Sequence, residues 1–125
     1  MSKECISTER APKAIGPYSQ AIKANGFIFV SGQLPMDPAL GKMPEKIEDQ
    51  AKQSMENLAA IIREAGSDLN RVVKTTIFLT NLDDFQTVNE VYGQYFSGNF
   101  PARSTVQVAK LPLGAHVEIE AIVIV

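Results

Sequence analysis

The segment PARSTVQVAKLPLGAHVEIEAIVIV (101–125) decides how the chain is read. Arg103, Thr105 and Gln107 alternate with Val106 and Val108 at the period of a β-strand, and VEIEAIVIV resumes the alternation before ending in an unbroken apolar run. Two strands, about 102–110 and 116–125, joined by LPLGA predict a final antiparallel hairpin. Opposed residues of such a hairpin share a face. Val106 and Val108 are therefore expected to face a core with Val117, Ile119 and Ala121. Arg103, Thr105 and Gln107 would join Glu118 and Glu120 on the other face, a guanidinium beside two carboxylates. An arginine so placed suits a planar carboxylate ligand held by two parallel hydrogen bonds. A structural Arg–Glu ion pair is the competing reading.

Upstream, Asn25-Gly26 sits between two strand-like runs in YSQAIKANGFIFVS (18–31), the residue pair a two-residue hairpin turn favours. Apolar positions 47, 51, 55, 58, 62 and 65 trace one helix face, with Pro44 suited to its first turn and Gly66 to its end. VVKTTIFLT (72–80) reads as a strand. Asp83 is a candidate N-cap for a second helix whose stripe is Phe85, Val88, Tyr92 and Phe96, stopped by Gly98 and Pro101. A short strand near Cys5 to Thr8 is expected to open the chain. The order predicts an α+β fold with both helices packed on one face of a sheet. Yet FIFV (27–30), IFL (77–79) and AIVIV (121–125) are apolar at consecutive positions, the mark of strands buried on both sides. A homo-oligomer assembled through the helix-free face, with clefts between subunits, meets that demand.

With 125 residues, 45% of them apolar, the chain fits one domain spanning 1–125. Net charge is −2 with a pI near 5.4 and the cations are scattered, so nucleic acid is a disfavoured partner. One cysteine, Cys5, and one histidine, His116, cannot make a Cys/His metal site or an internal disulfide. MSKECISTER has no apolar leader and no run approaches a membrane span, which leads us to expect a soluble, cytoplasmic protein. GKMPEK lacks the phosphate-loop pattern and no G-x-G-x-x-G occurs, so no nucleotide cofactor is expected. Tyr18 and Ser31, followed by Gly32, bracket the first hairpin and could bring hydroxyls to one end of the sheet. Asn89 lies beside the second helix's apolar stripe, where its amide needs a partner. His116, with no Ser or Cys motif near it, reads as a surface or turn residue.

IGPYSQ (15–20), VSGQLP (30–35), VVKTTIFLTNLDDFQTVNEVY (72–92) and FPARSTVQVAKLP with VEIEAIVIV resemble the Rid/YjgF reactive-intermediate deaminase family over nearly the whole chain. The resemblance implies a chorismate-mutase-like fold and a homotrimer whose sheets face the trimer centre, with three intersubunit clefts. It also implies hydrolysis, without metal or cofactor, of 2-iminobutanoate and 2-iminopropanoate derived from enamines released by pyridoxal-phosphate dehydratases. By matching position, Arg103 corresponds to the family's carboxylate-binding arginine and Glu118 to the glutamate that handles water. Tyr18, Ser31, Gly32, Asn89 and Thr105 match other cleft positions. Thr105 stands where members commonly carry cysteine, which removes any thiol role there. Some members are described as regulators or ribonucleases, so a non-catalytic ligand-binding module and, against the acidic balance, a ribonuclease or translation inhibitor are the alternatives.

Overall fold

In a computed structural model, which describes residues 2–125, six strands and two helices follow one another as β1 (Glu4–Ile6), β2 (Ala21–Ala24), β3 (Phe27–Gln33), α1 (Ile47–Glu64), β4 (Val72–Leu79), α2 (Phe85–Gly93), β5 (Ala102–Gln107) and β6 (Val117–Ile124). The strands form one mixed sheet in the order β1-β2-β3-β6-β4-β5. Every pairing is antiparallel except β4 with β5.

Local chemistry explains the elements. Asn25 and Gly26 both adopt positive φ, 51° and 83°, and turn β2 into β3 with Ala24 opposite Phe27, the expected hairpin. Helix α1 buries Ala51, Met55, Leu58, Ile61 and Ile62 against the sheet. Each large side chain so buried contributes about 1.5–3 kcal/mol. Its end follows the Gly66 expectation: Gly66, at φ 87°, donates to Arg63 O while Ser67 N–H donates to Ile62 O, capping the last carbonyls. Pro44, by contrast, precedes the helix and offers its carbonyl to Gln50 Nε2. The second helix starts with its stripe at Phe85, one residue later than an Asp83 cap implies, and ends at Gly93, short of Phe96. Asn81, not Asp83, caps the entry, its Oδ1 accepting from Asp83 N–H at the head of a short 3-10 turn.

The larger correction concerns the C-terminal hairpin, which does not form. β5 runs parallel to β4 on the sheet edge, and β4 separates it from β6. A parallel pair needs a crossover, and α2 supplies it. Side-chain composition accounts for the choice. β6 buries Val117, Ile119, Ala121 and Val123 on the helix side and adds Ile122 and Ile124 on the other, and takes a central place, whereas the more polar β5 tolerates an edge.

Both helices lie on the face carrying Ile28, Val30, Val72, Ile77, Leu79, Val117, Ile119 and Val123. The other face presents Phe27, Phe29, Val106 and Ile124, each more than a third exposed. That pattern follows the two-sided apolar runs. No helix among the described residues is long and apolar enough to cross a membrane.

Candidate active site in two halves

Glu118 belongs to β6 and points to the helix-free side, opposite Phe78 of β4. On its other flank, β3 bulges between Val30 and Gln33, so Ser31 and Gly32 together oppose a single step of β6. The bulge lets backbone and carboxylate approach closely. A Cβ on Gly32 would lie 2.8 Å from Glu118 Cδ and Oε2, so only glycine leaves room for this arrangement. Burial raises the Glu118 pKa, and the neighbouring Glu120 charge raises it further.

Ser31 is fixed by the chain that precedes β2: its hydroxyl donates to Ser19 O at 2.6 Å and its N–H to Gln20 O at 2.9 Å. The buried Gln20 side chain then ties down the N-terminal loop, accepting from Thr8 N–H at 2.7 Å and donating to Pro12 O at 2.7 Å. Pro12, Lys13 and Ile15 of that loop line the same cavity as Glu118. The result is a cavity of about 620 Å³ bounded by Tyr18, Ser31, Gly32 and Glu118, with Ile15 and Leu113 on its apolar side. Tyr18 is about half exposed, and its hydroxyl accepts from Ile15 N–H at 3.4 Å.

Arg103 occupies a different place. Its register partner is Thr75, whose other neighbour on β6 is Ala121, so the arginine points to the helix-covered face. Thr105 and Gln107 share that face, opposite Ile77 and Leu79. Instead of a carboxylate, two rings of α2 meet the guanidinium, with Cζ 5.1 Å from the Tyr92 centroid and 5.5 Å from that of Phe85. Asn89, Tyr92, Phe100, Pro101 and Arg103 border a second cavity of about 430 Å³. Two residues along, Thr105 Oγ1 is buried without a hydrogen-bond partner among the described residues.

The seven predicted site residues therefore form two groups: Tyr18, Ser31, Gly32 and Glu118 around one cavity, Asn89 and Arg103 at another with Thr105 beside them. Arg103 and Glu118 lie on opposite faces of the sheet, contrary to the shared face expected of a hairpin. This also removes the Arg–Glu structural pair as an account of the arginine. Val106, expected in the core, instead shares the helix-free face with Glu118 and Glu120. Gln107 closes the 3-10 turn, its Oε1 accepting from Leu82 N–H at 2.9 Å. His116 is a turn residue, its Nδ1 3.0 Å from Thr80 Oγ1.

Sequence reasoning treated Phe85 and Tyr92 as core stripe alone. Their spacing of seven, two helical turns, signals only that both rings share a side. No group of His, Cys, Asp and Glu residues among those described converges as a metal site.

A family model described as Endoribonuclease L-PSP matches residues 8–125. The chain is 54% identical over 123 residues to Reactive Intermediate Deaminase A, chloroplastic, of Arabidopsis thaliana, covering 98% of this chain and 66% of that one. Against the 2-iminobutanoate/2-iminopropanoate deaminase of Homo sapiens, identity is 50%, with coverage of 98% and 90%. Among solved structures, a Rid-family protein of Yersinia pestis superposes with a TM-score of 0.97 at 50% identity, covering 99% of this chain and all of the other. E. coli TdcF with bound serine superposes at 0.95 and 46% identity, covering 98% of each chain.

Proposed function

The chain belongs to the Rid/YjgF reactive-intermediate deaminase family, and from that membership we propose that it hydrolyses small 2-imino acids, 2-iminobutanoate and 2-iminopropanoate among them, to 2-keto acids and ammonia. The observation that carries the reading is the split site. A guanidinium without a carboxylate partner among the described residues and a carboxyl group of raised pKa stand on opposite faces of one sheet. Neither half suffices alone. A cleft that uses both draws Arg103 from one copy and Glu118 from the next.

The exposed Phe27, Phe29, Val106 and Ile124 support such an assembly, because contact between copies removes their surface from water. We take the assembly to be the homotrimer that the family resemblance implies, with a chorismate-mutase-like arrangement of sheets facing the threefold axis. Residues 1–125 act in it as one domain. The cytoplasm, where enamines leave pyridoxal-phosphate dehydratases and an exposed thiol such as Cys5 stays reduced, is the setting we assign.

Arg103 fixes the substrate carboxylate through paired N–H donors, Asn89 lines the same cavity, and the Thr105 hydroxyl, without a partner among the described residues, lies two residues further along β5. The protonated C=N carbon is already electrophilic, so the protein's contribution is positioning and proton transfer. Glu118 accepts a proton from water as the water oxygen bonds to C2, giving a carbinolamine. That proton passes to the amine, the C–N bond breaks with loss of ammonia, and the hydroxyl proton goes to Glu118 as the C=O bond of the 2-keto acid forms. Desolvation makes the ionised Glu118 a stronger base than a carboxylate in water. Tyr18, Ser31 and backbone near Gly32 line the water side. The serine bound in the E. coli relative, a small molecule with a carboxylate and a C2 amine, is consistent with this class of ligand.

The direct test generates 2-iminobutanoate in place with a threonine dehydratase and follows its loss with and without this protein. Acceleration over spontaneous hydrolysis at micromolar protein is expected. No acceleration would favour a binding module that holds the keto acid without turnover.

A further inference from the structure

We infer that Tyr92 and Thr75 are positioning residues for Arg103: a buried hydrogen bond between them fixes the ring that sets the plane of the guanidinium. The inference rests on the carboxylate role proposed for Arg103.

Thr75 and Arg103 are register partners on β4 and β5 and point to the same face. Tyr92 reaches from α2 across that pair. Its hydroxyl is 2.7 Å from Thr75 Oγ1, and its ring centroid is 5.1 Å from Arg103 Cζ. Thr75 is 0% exposed and Tyr92 4%, so water does not compete for either hydroxyl. Burial also raises the phenol's pKa, which keeps the ring neutral beside the cation. Phe85, two turns earlier, supplies a second ring at 5.5 Å.

A cation–π contact engages the flat face of the guanidinium and leaves its in-plane N–H groups unspent. Those are the groups that match a carboxylate fork, and their direction is decided by the plane the rings impose. Packing alone would not require this arrangement. Thr75 is buried on the sheet face that also carries Ile77 and Ile119, and Tyr92 and Val88 are buried on α2. Replacing both members of a buried hydroxyl pair by apolar groups of the same shape is close to neutral for folding. The polar pair is therefore better explained by what it orients.

The test compares Thr75→Val, Thr75→Ser, Tyr92→Phe and the doubly apolar Thr75→Val/Tyr92→Phe with the parent, using Arg103→Ala as reference. The double variant keeps packing without an orphaned hydroxyl. Two quantities are read: the Kd of 2-oxobutanoate by calorimetry, and KM and kcat for 2-iminobutanoate. Loss of carboxylate positioning is expected to raise Kd and KM about three- to tenfold in the Val, Phe and double variants, falling on KM more than on kcat. Thr75→Ser, which retains the hydroxyl, is expected to bind more tightly than Thr75→Val. If Arg103→Ala abolishes binding while the double variant binds as the parent does, the positioning role is overturned and the carboxylate site stands. If Arg103→Ala itself binds as the parent does, the carboxylate site is wrong and the positioning role falls with it.

Discussion

The carboxyl group of Glu118 fills the space that a side chain at Gly32 would occupy, 2.8 Å from the position of a Cβ. The crowding atoms are the far end of a flexible side chain rather than backbone. Gly32→Ala therefore displaces the carboxylate at little cost to folding. We expect kcat to fall at least about tenfold, corresponding to roughly 1.4 kcal/mol, with Tm within a few degrees of the parent. Parental kcat in a folded Gly32→Ala protein would show that the carboxylate position is not critical.

Glu118 also makes stability depend on pH. Its folded pKa lies above its unfolded value because of burial and the Glu120 charge. Between the two values the folded state binds more protons than the unfolded state, so this residue's contribution falls as pH rises through that window. The penalty is complete above the folded pKa and absent below the unfolded one. Glu118→Gln should thus raise Tm at pH 7.5, with the gain shrinking toward pH 4, while hydrolysis is lost. For the same reason Glu120→Gln should move the acid limb of the kcat/KM profile to lower pH. An unmoved limb would mean that another group serves as base.

Arg103→Lys keeps the charge and loses the planar fork. The lysine should reduce kcat/KM for 2-iminobutanoate at least about tenfold, or roughly 1.4 kcal/mol of transition-state stabilisation. Arg103→Ala should reduce it further, with the assembly intact in both. Parental rates in both assembled variants would place the substrate carboxylate elsewhere.

Phe29, 46% exposed on the helix-free face between Ile22 and Ile122, tests the assembly. An aspartate there forfeits up to about 1.5–3 kcal/mol of apolar burial per copy and adds the cost of desolvating a charge. Light scattering should show the parent near three times the 13.6 kDa chain mass and Phe29→Asp as a monomer without activity. A monomeric parent that still hydrolyses the imine would rule out a shared cleft.

The local rules read from the sequence hold where the interactions are local. Asn25-Gly26 makes its turn because two adjacent residues can both take positive φ. The α1 stripe makes its helix because spacings of three and four gather Ala51, Met55, Leu58 and Ile62 on one side. Alternation likewise separates Ile28 and Val30, buried, from Phe27 and Phe29, exposed. Matching the family's motifs marked individual candidate residues, from Tyr18 to Glu118, without saying which of them share a cavity.

Strand order is a different kind of information. Alternation says which residues of one strand share a face, but not which strand lies beside it. LPLGA is short enough for a hairpin, and that local plausibility lost to a non-local gain. β6, which buries Val117, Ile119, Ala121 and Val123, lies between β3 and β4, while β5 joins the far edge of β4 through α2. One changed neighbour carries Arg103 to the helix side, onto Tyr92 and Phe85, and leaves Glu118 on the other. The sequence determined the elements and the buried sides of the strands other than β5, and its likeness to the family marked the candidate site residues. Only the tertiary structure decided that one chain holds those residues as two separate half-sites, because pairing between distant strands is settled by burial over the whole sheet.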